Sequence, residues 1–373
     1  MKGDRHDLEL LSQRFRIAGE FFNARPFGNG HINDTYLAEY KRDGKIARYV
    51  HQRINANVFK EPWKVMDNVE RVLRHVRAKL RAENQVDPDR YALKLVPAVT
   101  EDFWISDEDG NYWRTYLFIE NACTYDAAQS PAMAREAARA FGRFQALIAD
   151  LTGPRLHDTI PDFHNTRKRF RTFLEKLEQD QYNRAENCRE EIDFALRHES
   201  LANALLDLLD AGKIPERITH NDTKLNNVMF DKNTGEAICV IDLDTIMPGL
   251  AAYDFGDMVR TSTCFAEEDE RDLAKVKFEL PMFDAIADGY FSEASKYLNA
   301  VEQDSMSIAG QVITFETGIR FLTDHLDGDN YFRIHREGHN LDRCRTQFQL
   351  VREMENNFEK IKKSISAARL RYE

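Results

Sequence analysis

The sequence has no apolar run approaching the roughly 20 residues that a helix needs to cross a bilayer. Its start, "MKGDRHDLELLSQRF", is charged throughout and has no apolar stretch of the kind that opens a secretory signal. Both absences point to a cytoplasmic protein. Cysteine is scarce and scattered: Cys123, Cys188, Cys239, Cys264 and Cys344 are odd in number and form no CxxC pair, which argues against a disulfide framework and against a zinc site. Basic charge is in deficit, with 52 Lys and Arg against 63 Asp and Glu and a net charge of −11. A general nucleic-acid surface needs a basic face, so that function is disfavoured. A phosphate-bearing ligand is not, because a few placed cations and Mg²⁺ hold one locally. Internal repeats and low-complexity linkers are absent too. What remains is an ordinary globular composition, 42% hydrophobic with 24 Phe and 13 Tyr, enough for one large core or two modest ones in 373 residues.

The character of the chain changes near residue 120. Before it, "TYLAEY" (35–40), "KIARYVHQRI" (45–54) and "YALKLVPAVT" (91–100) are rich in Val, Ile, Tyr and Thr and read as strands. "FWIS" and "YWRTYLFIE" flank Asp109-Gly110 and read as a hairpin. Between them, Val65, Val69, Val72 and Val76 fall at helical spacing and predict a helix over 65–83. After residue 130 helical periodicity dominates, first with Ala137, Phe141, Phe144 and Ile148 on one face behind Pro131. Further helices are expected at about 165–180, 187–212, 281–299, 304–325 and 340–370. One β-rich insertion, "NNVMFD" then "AICVIDLD", interrupts them. The expected organisation is a β-rich unit over 1–120, a connector at about 118–123, and a helical unit over 121–373.

That insertion is framed by "ITHNDTKLNNVMF", and its polar residues have a spacing that suits phosphoryl transfer. Such a reaction asks little of the protein beyond positioning and charge neutralisation. It needs a carboxylate for the acceptor hydroxyl, oxygen ligands for Mg²⁺ and a nearby cation. Asp222, Lys224 and Asn227 supply a base, a cation and a first magnesium ligand on one loop. The chain then runs out along one strand and back along another, so antiparallel pairing returns Asp242 close to Asn227. Gly28-Asn29-Gly30 sits in a strand–turn–strand setting, where glycine lets the backbone approach a phosphate closely and where an ordinary hairpin turn fits as well. His31 and Asn33 follow, within reach of a phosphate or an acceptor or simply on the hairpin surface.

His-x-Asp-x-x-x-x-Asn (220–227) followed by Ile241-Asp242 resembles the aminoglycoside phosphotransferase and choline kinase superfamily, along essentially the whole chain. The resemblance implies an α+β, protein-kinase-like fold of two lobes, a small antiparallel β-rich one and a larger helical one. It also implies ATP as co-substrate and Mg²⁺ as cofactor. The stretches "GNGHINDTY", "RYVHQRIN", "THNDTKLNN", "IDLDTIMPG", "DFGDMVR" and "GIRFLTDHLDGDNYF" are similar to those of bacterial N-acetylhexosamine 1-kinases, which phosphorylate the anomeric hydroxyl of GlcNAc and GalNAc. Carried over, the resemblance makes Asp222 the catalytic base, with Lys224 beside it. It makes Asn227 and Asp242 the Mg²⁺ ligands, with Asp244 supporting them. Arg320 and Tyr331 then meet the sugar, together with His31, Asn33 and Asp222. Gly28, Gly30, Gln52 and the backbone of Phe118, Ile119 and Glu120 meet the nucleotide. Other residue-level readings of Arg320 and Tyr331 are a surface ion pair and a core ring.

The chain departs from the protein-kinase pattern in one place. Where the third strand of those kinases carries a phosphate-gripping Lys, this chain has Gln52 followed by Arg53. Strand alternation lets only one of the two face the nucleotide. A matching helix glutamate is Glu70, unless that residue lies on a solvated face. Literal Asp254-Phe255-Gly256 lies well beyond Asn227, past the Pro248-Gly249 turn. Asp254 and Asp257 are therefore expected to open the next helix or to hold the catalytic loop from beneath, leaving the magnesium role to Asp242. No Ala-Pro-Glu segment or activation loop is present, which argues against a protein kinase. Three acceptor readings stand at this level: an N-acetylhexosamine, another hydroxyl compound such as an aminoglycoside, choline or homoserine, or none, in a nucleotide-binding pseudoenzyme. The expected partners are ATP and a small sugar, for a monomer or weak homo-oligomer that binds neither nucleic acid nor membrane.

Overall fold

The computed structural model describes residues 6–28, 32–83 and 87–373. Gly30 and His31 lie outside the described residues. The first lobe is built on a five-stranded antiparallel sheet in the order β1-β2-β3-β5-β4. Its strands are β1 (Glu20–Pro26), β2 (Asp34–Arg42), β3 (Lys45–Ile54), β4 (Ile105–Ser106) and β5 (Tyr112–Leu117). A short α1 (Leu8–Ser12) leads into it. Asp43-Gly44 closes the β2–β3 hairpin with both φ angles positive, 50° and 75°, and so sets the register Arg42↔Lys45.

Helix α2 (Pro62–Ala82) starts at Pro62 because a proline costs nothing at a position whose N–H is unpaired anyway. Its Val65, Val69, Val72 and Val76 are all buried, as their spacing predicts. The expected strand over 91–100 does not form. One helical turn, α3 (Pro88–Tyr91), is followed by an extended run that touches the sheet only at the bridges Leu95↔Tyr116 and Phe15↔Ala98. Pro97 offers no N–H, so a continuous ladder cannot be built there.

Residues 118–121 lead into the second lobe, where β6 (Ala122–Cys123), β8 (Val228–Asp231) and β9 (Ala237–Val240) form a three-stranded sheet. A two-stranded ribbon pairs β7 (Arg217–Thr219) with β10 (Met247–Gly249). The helices of this lobe are α4 (Pro131–Ile148), α5 (Thr166–Gln179), α6 (Arg189–Arg197), α7 (Glu199–Asp210), α8 (Ala251–Ser262), α9 (Leu280–Ala294), α10 (Ala300–Leu326), α11 (His339–Asn356) and α12 (Phe358–Tyr372). Two helices read as continuous in the sequence are each broken, at His198 and at Asn357. There His198 Nδ1 bonds the Phe194 carbonyl at 2.7 Å and Asn357 Nδ2 bonds the Glu353 carbonyl at 2.9 Å. Apolar spacing continues across a one-residue break, so periodicity alone does not register it. The architecture is the α+β, two-lobed one expected. One continuous apolar core runs from α2 through α4, β8 and β9 to α8 and α9. Among the described residues no helix is long and apolar enough to cross a membrane.

Candidate active site

The loop after β7 turns sharply at Asn221, whose φ of 66° is left-handed, and the fold pins it there. Asn221 Nδ2 donates to the carbonyls of Thr219 (3.1 Å) and Thr245 (2.9 Å). From beneath, the buried Asp254 of α8 accepts the backbone N–H of His220 at 2.9 Å and of Asn221 at 2.7 Å, and its own carbonyl accepts Thr223 Oγ1 at 2.6 Å. Asp254 is thus the buttress of the loop, as its place in the chain suggested. His220 Nδ1 accepts the Asp222 N–H (3.3 Å), so Nε2 carries the proton and donates to the Ile241 carbonyl (2.8 Å). That bond fastens the loop to the segment carrying Asp242.

On this platform Asp222 Oδ2 receives Asn227 Nδ2 at 2.9 Å and Lys224 Nζ at 2.9 Å. Burial opposes the charged form of Asp222, but the Lys224 ammonium and Asn227 amide outweigh it and hold the carboxyl below the usual range. The same pairing raises Lys224 against its own desolvation. The hairpin register Val228↔Val240 and the bond from Ile241 N to the Asn227 carbonyl (2.9 Å) bring Asp242 beside Asn227, as antiparallel pairing requires. Asp242 adopts a left-handed φ of 58° and lies at the cleft floor, open to solvent yet surrounded by protein. Thinned hydration, then the charges of Asp244 and Asp222, push its carboxyl up to about 6.

The upper wall is a cross-strand row, Thr35 on β2, Gln52 on β3 and Arg114 on β5. Gln52 Nε2 donates to Thr35 Oγ1 (3.0 Å), while its Oε1 accepts Arg114 Nε (2.9 Å) and Nη2 (2.5 Å). Arg53 points the other way, to Asp34 and to Asn111 Oδ1. Arg114, 1% exposed, reaches across the cleft to Asp244 at 2.5 Å. This arginine was missed in the sequence; its signal was a lone cation inside the apolar strand "YWRTYL". Asn33 Nδ2 also donates to Asp244, at 2.7 Å. Glu70 pairs with Arg74 on the outer face of α2 and takes no part.

Gly28 has a φ of 81°, and among the described residues nothing lies where a side chain would project; the neighbouring Phe27 ring meets Phe118 of the connector edge to face at 5.8 Å. Phe118 N bonds the Arg48 carbonyl and Arg90 takes the Glu120 carbonyl, whereas Ile119 has no backbone partner among the described residues. On the other side of the catalytic loop, buried His164 bridges the Asn221 carbonyl (3.1 Å) and Glu316 (2.8 Å) of α10. Desolvation lowers the His164 imidazole, but the Glu316 carboxylate outweighs it, so the net shift is upward. Arg320, one turn on from Glu316, packs over the rings of Phe163 (5.9 Å) and Phe332 (5.5 Å), with no ion pair among the described residues. Tyr331 is 71% exposed and so is not a core ring. Neither Gln145, which bonds Asp254 at 2.5 Å, nor His164 carries any sequence signal of its place.

A carboxylate with its ammonium partner and an amide, beside a second carboxylate, are the kinds of group that phosphoryl transfer uses. The sequence pattern of the phosphotransferase enzyme family (APH) matches residues 23–288, most of the chain. The chain belongs to this family. Solved structures place the phosphotransferase in the same company by fold. It is similar to an aminoglycoside phosphotransferase from Alicyclobacillus acidocaldarius (TM-score 0.60, 13% identity, 95% of each chain covered). It is also similar to a spectinomycin phosphotransferase in complex with ADP and spectinomycin (TM-score 0.57, 12% identity, 93% of this chain and 97% of that one). A choline kinase from Cryptosporidium parvum matches at TM-score 0.55 and 13% identity, over 91% of this chain and 90% of that one. Identities this low carry the fold and not the acceptor. The protein is a phosphotransferase with a kinase-like fold.

Proposed function

We propose that this phosphotransferase moves the γ-phosphoryl group of ATP to the anomeric hydroxyl of an N-acetylhexosamine, GlcNAc or GalNAc. The observation that carries the transfer is the convergence of Asp222, Lys224, Asn227 and Asp242 on one floor. Asp222 orients the acceptor hydroxyl and takes its proton. Lys224, 2.9 Å from that carboxylate, neutralises charge developing on the transferred group. Asn227 Oδ1 and Asp242 would hold Mg²⁺, which would supply charge neutralisation for the phosphoryl group. The donor set fits: Asn227 uses its amide nitrogen on Asp222, and among the described residues no donor reaches Asn227 Oδ1 or the Asp242 carboxylate.

Adenine pairs with the backbone of Ile119, which has no partner among the described residues, beside Phe27 and Phe118. Residues 1–120 close over the nucleotide about a hinge at 118–123. A neutral sugar is supported over a cationic acceptor by Arg320, with Arg169 near enough for the two guanidinium groups to repel. Arg320 also occupies the faces of Phe163 and Phe332 that a quaternary ammonium would use. Arg320 donates to sugar hydroxyls and Tyr331 offers a flat apolar face. The enzyme works in the cytoplasm on small molecules, as a monomer or weak homo-oligomer.

The test is ADP release with ATP and Mg²⁺ against GlcNAc, GalNAc, an aminoglycoside, choline and homoserine, followed by NMR of the product. A C1 phosphate is expected, with Asp222→Asn lowering the rate at least about a hundredfold. Turnover confined to another acceptor overturns the sugar assignment. Half-normal activity in Asp222→Asn overturns the catalytic one.

A further inference from the structure

Asp244 lies two residues beyond Asp242 and faces the first lobe with both carboxylate oxygens engaged. Oδ2 accepts Asn33 Nδ2 at 2.7 Å and Oδ1 meets Arg114 Nη2 at 2.5 Å. The partners are themselves fixed: Asn33 Oδ1 accepts the backbone N–H of Asn55 at 3.0 Å, and Arg114 is gripped by Gln52. Arg114 and Asp244 are 1% and 3% exposed as side chains, so each is the other's charge compensation away from water. The segment after Asp244 is tied down twice more. Thr245 Oγ1 donates to the His220 carbonyl (2.7 Å), and the Ile246 carbonyl accepts Asn68 Nδ2 of α2 (2.8 Å).

We propose that Asp244 is a positioning residue, the second-lobe half of a clasp whose first-lobe half is Arg114 with Asn33, and not a metal ligand. Lobe separation would strand a buried guanidinium and a buried carboxylate, a costly state. Closure therefore stabilises the clasp, and the clasp sets the 3₁₀ turn Leu243–Thr245, which holds Asp242 in its left-handed conformation. Asn33 of the first lobe and Asp242 of the second are thus coupled through Asp244. In protein kinases the third-strand Lys pairs with a glutamate of its own lobe. Here Gln52 stands in its place and the ion pair runs from β5 to the other lobe.

This inference rests on the phosphotransfer reading, and a double-mutant cycle of Asp244→Asn and Arg114→Gln tests it. Each single change is expected to lower kcat about tenfold, and the double change no more than about twofold further, because both remove one interaction. Raising Mg²⁺, or replacing it by Mn²⁺, restores nothing. Recovery of Asp244→Asn by excess metal, or multiplicative losses, overturns the proposal. Should Arg114→Gln fail to fold, Asn33→Ala takes its place. It is expected to lower kcat about threefold with sugar KM unchanged; a rise in sugar KM alone overturns Asn33's share. Hydrogen exchange needs no turnover: residues 112–117 and 242–246 should exchange faster in Asp244→Asn than in wild type, and equal protection overturns the clasp. Faster exchange in a protein without wild-type phosphotransfer would leave the clasp standing and remove the function.

Discussion

Asp254 belongs to a literal Asp-Phe-Gly yet holds up the catalytic loop instead of a metal, and Asp254→Asn measures that role. Oδ2 accepts two donors, His220 N at 2.9 Å and Gln145 Nε2 at 2.5 Å, and Oδ1 accepts Asn221 N at 2.7 Å. Burial pushes the carboxyl up, yet every neighbour is a donor, so the site is made for an acceptor on both oxygens. An asparagine can keep only one of them, and its NH₂ must face a donor. Gln145 cannot turn over in compensation, because its Oε1 already accepts Tyr290 OH and Tyr297 OH, each at 2.5 Å. One stranded buried donor costs about 1–3 kcal/mol. Asp254→Ala strands three, and with partial relaxation about 3–5 kcal/mol is expected. Urea unfolding with linear extrapolation reads both values. Activity should fall further than stability explains, since a shift of about 1 Å in Asp222 costs on the order of a hundredfold in rate. Asp254→Asn within about 0.5 kcal/mol of wild type, at full activity, would refute the reasoning.

Other expectations are simpler to check. Gly256→Ala places a Cβ 2.4 Å from the Ala309 carbonyl oxygen of α10, a backbone atom that cannot step aside, and should cost about 1–3 kcal/mol by thermal unfolding. His51, buried between Tyr40 OH (2.8 Å) and Thr115 Oγ1 (2.7 Å), is lowered to about 4 by desolvation. Between pH 6.5 and about 4 the unfolded chain binds this proton and the folded one does not, so stability drains away as pH falls through that window. The loss approaches about 3 kcal/mol at its foot. His51→Gln should flatten the unfolding free energy against pH over that window, and an unchanged slope would count against it. Arg320→Ala is expected to raise sugar KM about tenfold while nucleotide KM holds, as loss of a charged donor does; steady-state kinetics decide it.

The local chemistry of the site was open to reading because its parts lie close in sequence. Asp222, Lys224 and Asn227 share one loop, and a hairpin is a device whose geometry follows from pairing, so Asp242 could be placed beside them. Valines at helical spacing foretold α2 for the same reason. Elements whose form depends on a single lost donor or a one-residue break were not legible. The run after Tyr91 fails as a strand at Pro97, and the long helices divide at His198 and Asn357.

The sequence by itself thus determined the two-lobed α+β plan and the grouping of Asp222, Lys224, Asn227 and Asp242 on one floor, since both are written in contacts short along the chain or in periodicities. Only the tertiary structure decided what holds that floor in place. Arg114 and Asp244 are far apart in the chain, as are His164 and Glu316, and Gln145 and Asp254. No periodicity or spacing records a pairing across such distances. Their meeting follows from packing, which excludes water and leaves each buried charge or amide only the partner the fold brings to it.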